Sequence, residues 1–239
     1  MMIKNLFEQD LKILGLTLQA DQINKFNQYY ELLISENEKF NLTTITACHD
    51  VYKKHFIDSL SLYKYGQTLS NENKIIDIGT GAGFPGIPLK IAFPEFKITL
   101  LDSTNKRITF LDGVIRQLNL TSVTLIHGRA EELSHHSSYR EQYDLCVSRA
   151  VANLSTLSEY CLPFVKPDGL FIAYKAENIE AEISASQNGI ALLGGQIDKT
   201  ISFALPNSDI ARTLVGVKKI RETPAKYPRR AGLPGKKPL

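Results

Sequence analysis

The chain of 239 residues has no tryptophan, two methionines and only three cysteines, Cys48, Cys146 and Cys161. Cysteines this scattered fit no zinc motif, and an odd count does not make a disulfide framework. A small secreted scaffold stapled by disulfides is therefore excluded, and a reduced, cytoplasmic setting is expected. No apolar stretch reaches the roughly 18 uninterrupted residues that a transmembrane helix needs. Glu8, Asp10 and Lys12 break up any signal-peptide core, and no membrane partner is expected. His127, His135 and His136 lack a carboxylate at ligand spacing, so no metal site is expected. Net charge is small, +3 at neutral pH, but uneven: residues from Lys218 onward carry +7, and residues 1–217 carry −4.

What is present suits one sizeable core with a small extra subdomain. Residues 1–70 read as helices, with apolar faces at Phe7, Leu11 and Leu14, then at Ile23, Phe26, Tyr30 and Leu33. A third face, Tyr52, Phe56, Leu60 and Tyr63, begins where Asp50 or a neighbour offers a cap. The polar stretch Gly66–Lys74 marks a boundary. Strands and helices then alternate. Strands are expected at 75–78, 97–101, 122–126, 143–147 and 170–174, and a closing hairpin at 196–205 and 212–220. Pro167-Asp168-Gly169 is expected to turn the chain into its fifth strand. Repeated βα units predict an α/β fold, a doubly wound and mostly parallel sheet with an antiparallel edge. The expected organisation is an N-terminal helical subdomain (1–70), a nucleoside-binding domain (71–221) and a basic tail (222–239).

The segment Ile75–Lys90 carries the strongest functional signal. An apolar strand runs into Gly79, Gly81, Gly83 and Gly86, and a helical apolar pattern follows at Phe84, Ile87 and Ile91. Strand, glycine turn and helix bring backbone amides close to a ligand. Asp102 ends the next apolar strand, nineteen positions after Gly83, where a carboxylate meets a ribose diol. A nicotinamide dehydrogenase is one reading of this pattern, but no hydride-transfer site or separate substrate domain is evident. The spacing Asp77-x-Gly79-x-Gly81-x-Gly83 more closely resembles the first motif of class I S-adenosylmethionine-dependent methyltransferases. Leu162-Pro163-Phe164-Val165-Lys166-Pro167-Asp168-Gly169 is similar to the turn before their fifth strand.

Four further segments narrow the resemblance. They are Lys39-Phe40-Asn41-Leu42-Thr43 with Lys54-His55-Phe56-Ile57-Asp58-Ser59-Leu60, the glycine loop through Phe84-Pro85-Gly86, Leu101-Asp102-Ser103 with Lys106-Arg107, and Ser148-Arg149-Ala150-Val151-Ala152. Together with Arg129-Ala130-Glu131-Glu132 and Thr223-Pro224-Ala225-Lys226-Tyr227-Pro228-Arg229, they resemble the bacterial glucose-inhibited division protein B family over essentially the whole chain. The resemblance implies methylation of guanine N7 in 16S, small-subunit ribosomal RNA, free or in a 30S-type particle, with S-adenosyl-L-methionine as donor. It assigns Gly79 and Phe84 to the cofactor loop, Asp102 with Ser103 to the ribose side, Ala130 and Glu131 to the adenine, and Arg149 to the cofactor site.

Guanine N7 has a lone pair and no proton, so its methylation needs placement and charge stabilisation more than a general base. The residues agree. Ser148-Arg149-Ala150 follows the fourth strand where amino-methylating relatives resemble one another in an Asn/Asp-Pro-Pro motif. Cys146 lies inside that strand and Cys161 on a helix face, so neither is placed as a nucleophile. Arg149 is the candidate catalytic residue, able to hold a carboxylate, a phosphate or guanine O6, with an ordinary salt bridge as the alternative. His55 and Asp58, spaced i, i+3, either pack the helices or contact RNA. Lys226, Arg229 and Arg230, with Tyr227 for stacking, read as phosphate contacts, extended by Lys53-Lys54 and Lys106-Arg107, or else as a solvated terminus. A non-catalytic RNA-binding or assembly module is the other functional class. A monomer is expected, although no residue fixes the oligomeric state.

Overall fold

Alternation of side chains along each strand decides how the central sheet is covered. The computed structural model describes residues 2–66, 73–177 and 179–239, so most of the expected boundary, 67–72, lies outside the described residues. Helices α1 (Met2–Leu14) and α2 (Ala20–Phe40) come first. A third helical stretch follows, of changing pitch: α3 (Cys48–Val51), a π-helical turn Tyr52–Ile57, α4 (Asp58–Leu60) and a 3₁₀ turn Ser61–Tyr65. Then come β1 (Lys74–Ile78), α5 (Gly86–Ala92), β2 (Lys97–Asp102), α6 (Asn105–Gln117), β3 (Val123–His127), α7 (Ala130–Leu133) and β4 (Tyr143–Arg149). The chain closes with α8 (Leu154–Cys161), β5 (Val165–Lys175), α9 (Glu180–Leu192), β6 (Gly195–Ala204), β7 (Ala211–Lys219) and α10 (Leu233–Lys236).

The sheet order is β3-β2-β1-β4-β5-β7-β6, with β1 to β5 parallel and β7 antiparallel to both neighbours. On one face Ile75, Leu145, Val147 and Ile172 join the side chains of α1, α2, α5 and α6 in one core. On the other, Ile76, Cys146, Phe171 and Val215 meet α8 and α9. The N-terminal helices thus share a core with the sheet. Gln22 of α2 fastens them further by donating to the carbonyls of Ile91 and Ala92, at 2.8 and 2.9 Å, at the end of α5.

Three local expectations change. Pro167-Asp168-Gly169 does not start the fifth strand but bulges it: the register against β4 slips between Val165 and Leu170, and Asp168 takes φ +67°. Tyr63 is 41% exposed, because the 3₁₀ turn rotates it off the face shared by Tyr52, Phe56 and Leu60. Asp50 does not cap the third helical stretch, whose N-cap is Ala47; it pairs with Lys54 at 3.2 Å.

Candidate active site

Between β1 and β4 the strand order reverses, which opens a crevice at the strands' carboxyl ends. Ser148 Oγ closes its floor by donating to the carbonyl of Ile78 at 2.8 Å. Gly79 leaves one side of this crevice and Arg149 ends the other. The glycine loop is tied to β2: Gly79 and Thr80 donate to the Leu101 carbonyl at 2.9 and 3.1 Å, and Gly81 donates to Asp102 Oδ2 at 2.9 Å.

Above the loop lies a cavity of about 370 Å³ lined by Gly79, Gly81, Phe84, Asp102, Ser103 and Arg149, among others. At Gly81, φ is +61° and an added Cβ would meet nothing within 4 Å, so this glycine faces the open site. Gly83 does not. Its Cβ would lie 2.7–2.8 Å from Ile87, Tyr29 and Leu111, so it is a packing glycine beneath the loop. Tyr29, buried in α2, donates its hydroxyl to the Ala82 carbonyl and supports the loop from that side. Asp77, expected beside the cofactor, is also underneath. Its Oδ2 accepts from Thr80 Oγ1 at 2.7 Å and Gly86 N at 2.9 Å, and its Oδ1 has no partner. Burial, opposed by those two hydrogen bonds, pushes its pKa up to about 7.

Asp102 accepts from Gly81 N, from Thr104 N at 2.8 Å and from Arg107 Nη1 at 3.2 Å. Arg107, expected on an RNA surface, pairs with this carboxylate and lines the same cavity while its side chain stays 39% exposed. Ala130 and Glu131 stand apart from the cavity lining, and Glu131 Oε1 accepts from Gly232 N at 2.9 Å.

Arg149 is held on three sides. Its Nη1 donates to the Lys54 carbonyl at 3.0 Å and Asp58 Oδ2 at 2.8 Å, its Nη2 lies 3.2 Å from His55 Nδ1, and its guanidinium sits 5.1 Å from the Phe84 ring centroid. His55 stacks on Phe84 at 4.4 Å, and its Nε2 lies 3.0 Å from Thr43 Oγ1. Burial, then the Arg149 charge, lowers its pKa to about 3. The imidazole is therefore neutral, accepting at Nδ1 and donating at Nε2. His55, which spacing leaves open between helix packing and RNA contact, forms a wall between two cavities. The second cavity, about 410 Å³, includes Lys54, His55, Asp58, Arg149, Lys175 and Arg212 in its lining. Asp58 joins two arginines, because its Oδ1 accepts from Arg212 Nε at 2.9 Å.

Residues 22–211 match the family described as GidB, rRNA small subunit methyltransferase G. The chain belongs to this family. Relatives named ribosomal RNA small subunit methyltransferase G agree along nearly the full length. The one from Thermoanaerobacter sp. (strain X514) is 53% identical over 94% of this chain and 93% of its own. That from Limosilactobacillus reuteri (strain DSM 20016) is 49% identical over 98% of both. Among solved structures, M. jannaschii TYW2 in complex with AdoMet superposes with a TM-score of 0.52 at 17% identity, over 68% of this chain and 77% of that one. The YcgJ protein from Bacillus subtilis gives 0.51 at 14%, over 70% and 100%. These two establish a shared fold, which is the class I methyltransferase fold.

In this GidB chain the basic residues expected on an RNA face separate into two groups. Arg229 donates Nε and Nη2 to Glu159, a carboxylate with no exposed surface, so it anchors the tail on α8. Tyr227 is buried in the core and does not stack outward. Lys53 is buried against Asp10 and the Pro206 carbonyl. Lys106, Lys226 and Arg230 remain exposed. Arg212 was not singled out from the sequence. Its signal was the hairpin itself, because an antiparallel strand after the fifth places its first residues at the carboxyl ends of the parallel strands. Among the described residues no cluster of metal-ligating side chains occurs, and no helix is long and apolar enough to cross a membrane.

Proposed function

We infer that this chain transfers a methyl group to N7 of a guanine in 16S ribosomal RNA, in the cytoplasm, on free RNA or a small-subunit particle. The observation that carries the reading is the pair of cavities meeting at one wall of His55, Arg149 and Ala150. The glycine-loop cavity fits S-adenosylmethionine: a Cβ at Gly81 would enter it, and Asp102 stands at the end of β2 for a ribose diol. Gly79, Gly81, Phe84, Asp102, Ser103 and Arg149 would hold the donor there, with Ala130 and Glu131 nearer its adenine. When bound, S-adenosylmethionine supplies a sulfonium methyl group whose carbon bonds to N7 while the C–S electron pair stays on sulfur, leaving a neutral thioether.

The protein's part is placement. Among the described residues the imidazole and carboxylates of the two linings are all engaged: His55 is neutral with both ring nitrogens bound, Asp58 is bound by two guanidinium groups, and Asp102 accepts from Gly81, Thr104 and Arg107. No general base is needed, since no proton leaves N7 in the transfer. Arg149 is fixed by the Lys54 carbonyl, Asp58 and His55, so it stands ready at the junction without reorganisation. The second cavity, fringed by Lys54, Lys175 and Arg212, receives the target purine. Exposed Lys106, Lys226 and Arg230 meet phosphates. The test is methylation mapped at nucleotide resolution in ribosomal RNA from cells with and without the protein, with tritiated methyl transfer by the purified enzyme. One N7-methylguanosine lost with the gene and restored in vitro supports the reading. A methyl group on another atom, or no transfer, overturns it.

A further inference from the structure

The second cavity presents hydrogen-bond donors from its side chains and almost no side-chain acceptors. Asp58 is its only carboxylate among the described residues, and its side chain is 4% exposed. One oxygen accepts from Arg149 and the other from Arg212. His55 accepts from Arg149 and donates toward Thr43, so it offers a base nothing. Tyr174 gives its hydroxyl proton to the Ser59 carbonyl at 2.8 Å. Lys175 gives two of its three protons to the Ala152 carbonyl and Glu182, and its side chain is 11% exposed. Arg212 differs: Nε goes to Asp58 and Nη1 to the Ala211 carbonyl, while its side chain is 23% exposed and lines the cavity.

We propose that Arg212, aligned by Asp58, selects guanine by donating to O6, and that the N1/N2 edge of the base is not read. The proposal rests on the second cavity receiving the target purine. N7 must face the methyl group, and O6 is its neighbour on the same edge of the base. Both are acceptors, so a guanidinium beside the junction matches guanine. Adenine carries an amino group in place of O6, and two donors then face each other. Among the described side chains of this cavity the one carboxylate that could accept from N1–H and the N2 amino group is Asp58, and it is 4% exposed between two guanidinium groups. Arg212 is thus a specificity residue for the reaction, and Asp58 is its positioning residue.

The test uses small-subunit particles assembled on ligated ribosomal RNA in which the mapped guanosine is replaced by inosine or 2,6-diaminopurine riboside. Inosine keeps O6 and N1–H and loses the N2 amino group; diaminopurine keeps that amino group, exchanges O6 for a donor and loses the N1 proton, and the Arg212 variant separates these two changes. Single-turnover transfer by the unaltered enzyme is expected to be within about fivefold for inosine and guanosine, and about 10- to 100-fold slower for diaminopurine. Arg212→Met, checked for fold by circular dichroism and for S-adenosylhomocysteine binding, is expected to bring the guanosine-to-diaminopurine ratio close to one. Arg212→Lys, which keeps a donor, is measured beside it and is expected to keep part of the discrimination; an active Arg212→Met with the parental guanosine-to-diaminopurine ratio overturns the proposal. Inosine slowed as much as diaminopurine, or diaminopurine methylated as fast as guanosine, overturns the proposal. Failure of guanosine RNA itself to be methylated at N7 overturns instead the reading on which it rests.

Discussion

Alanine substituted separately at Gly83 and at Gly81 should split fold stability from cofactor binding. At Gly83 the new Cβ falls at 2.7 Å from Ile87 Cγ1 and Tyr29 Oη and 2.8 Å from Leu111 Cδ2, with φ at +101°. All three neighbours are buried, and Tyr29 is also hydrogen-bonded to the loop, so none moves freely. Left-handed backbone costs a non-glycine residue about 1–2 kcal/mol, and overpacking adds about 1–3 kcal/mol. The expected loss is therefore about 2–5 kcal/mol. At Gly81 no atom lies within 4 Å and φ is +61°, so only the backbone cost of about 1–2 kcal/mol applies. Gly81, however, lines the 370 Å³ cavity, and its added methyl group would occupy open space there. Urea denaturation should place Gly83→Ala well below Gly81→Ala in stability. Calorimetric titration with S-adenosylhomocysteine at low temperature should place them in the opposite order, with Gly81→Ala losing at least tenfold in affinity. Parental stability for Gly83→Ala, or a parental Kd for Gly81→Ala, would refute the division of the two glycines.

Asp102→Ala removes the acceptor at the end of β2; S-adenosylhomocysteine affinity should fall by about 1.5–3 kcal/mol, and an unchanged Kd removes Asp102 from the site. Neutralising Lys226 and Arg230 should flatten the salt dependence of RNA binding by about 0.7–0.9 for each phosphate no longer neutralised, whereas a slope equal to the parent's makes them ordinary surface residues. Arg229→Gln should act instead on stability, by about 3–5 kcal/mol, because it leaves the buried Glu159 without its counter-charge, held by the backbone N–H of residue 229; parental stability in urea refutes that. His55 and Asp77 should bend the pH–stability curve in opposite directions. His55 falls from 6.5 to about 3 on folding, so the unfolded chain binds the extra proton and stability rises with pH across that range. Asp77 rises from 3.8 to about 7, so the folded chain binds the extra proton and stability falls as pH rises. Between pH 4 and 6.5, His55→Gln should therefore tilt the parental curve downward with pH and Asp77→Asn should tilt it upward; curves parallel to the parent's refute both shifts.

Periodicity and the glycine motif made the sheet and one wall of the site readable in advance, while contacts between distant segments did not. The βα alternation gave every strand, because each strand's apolar pattern is local, and Arg149 at the end of β4 followed from counting along that pattern. The motif could not say which glycine faces a ligand. Gly81 and Gly83 differ only in what packs beside them, and Gly83's neighbours come from α2, α5 and α6. The tail divides for a related reason. Lys226, Arg229 and Arg230 look alike as charges, but Glu159, seventy positions away, holds Arg229. The pair His55 and Asp58 lay open between packing and RNA contact, and the structure shows why spacing alone left it so. The π-helical turn places His55 against Phe84 and Thr43, and α4, which follows it directly, places Asp58 between two arginines. Only the return of β7 beside β5 brings Arg212 to Asp58, from 154 positions along the chain. That junction has two consequences at once. One carboxylate satisfies two guanidinium groups that would otherwise repel each other, and, 4% exposed between them, it is turned to the arginines and not to a base. What the crevice offers a purine is therefore positive and donating, and N7 with O6 is the purine edge that answers it.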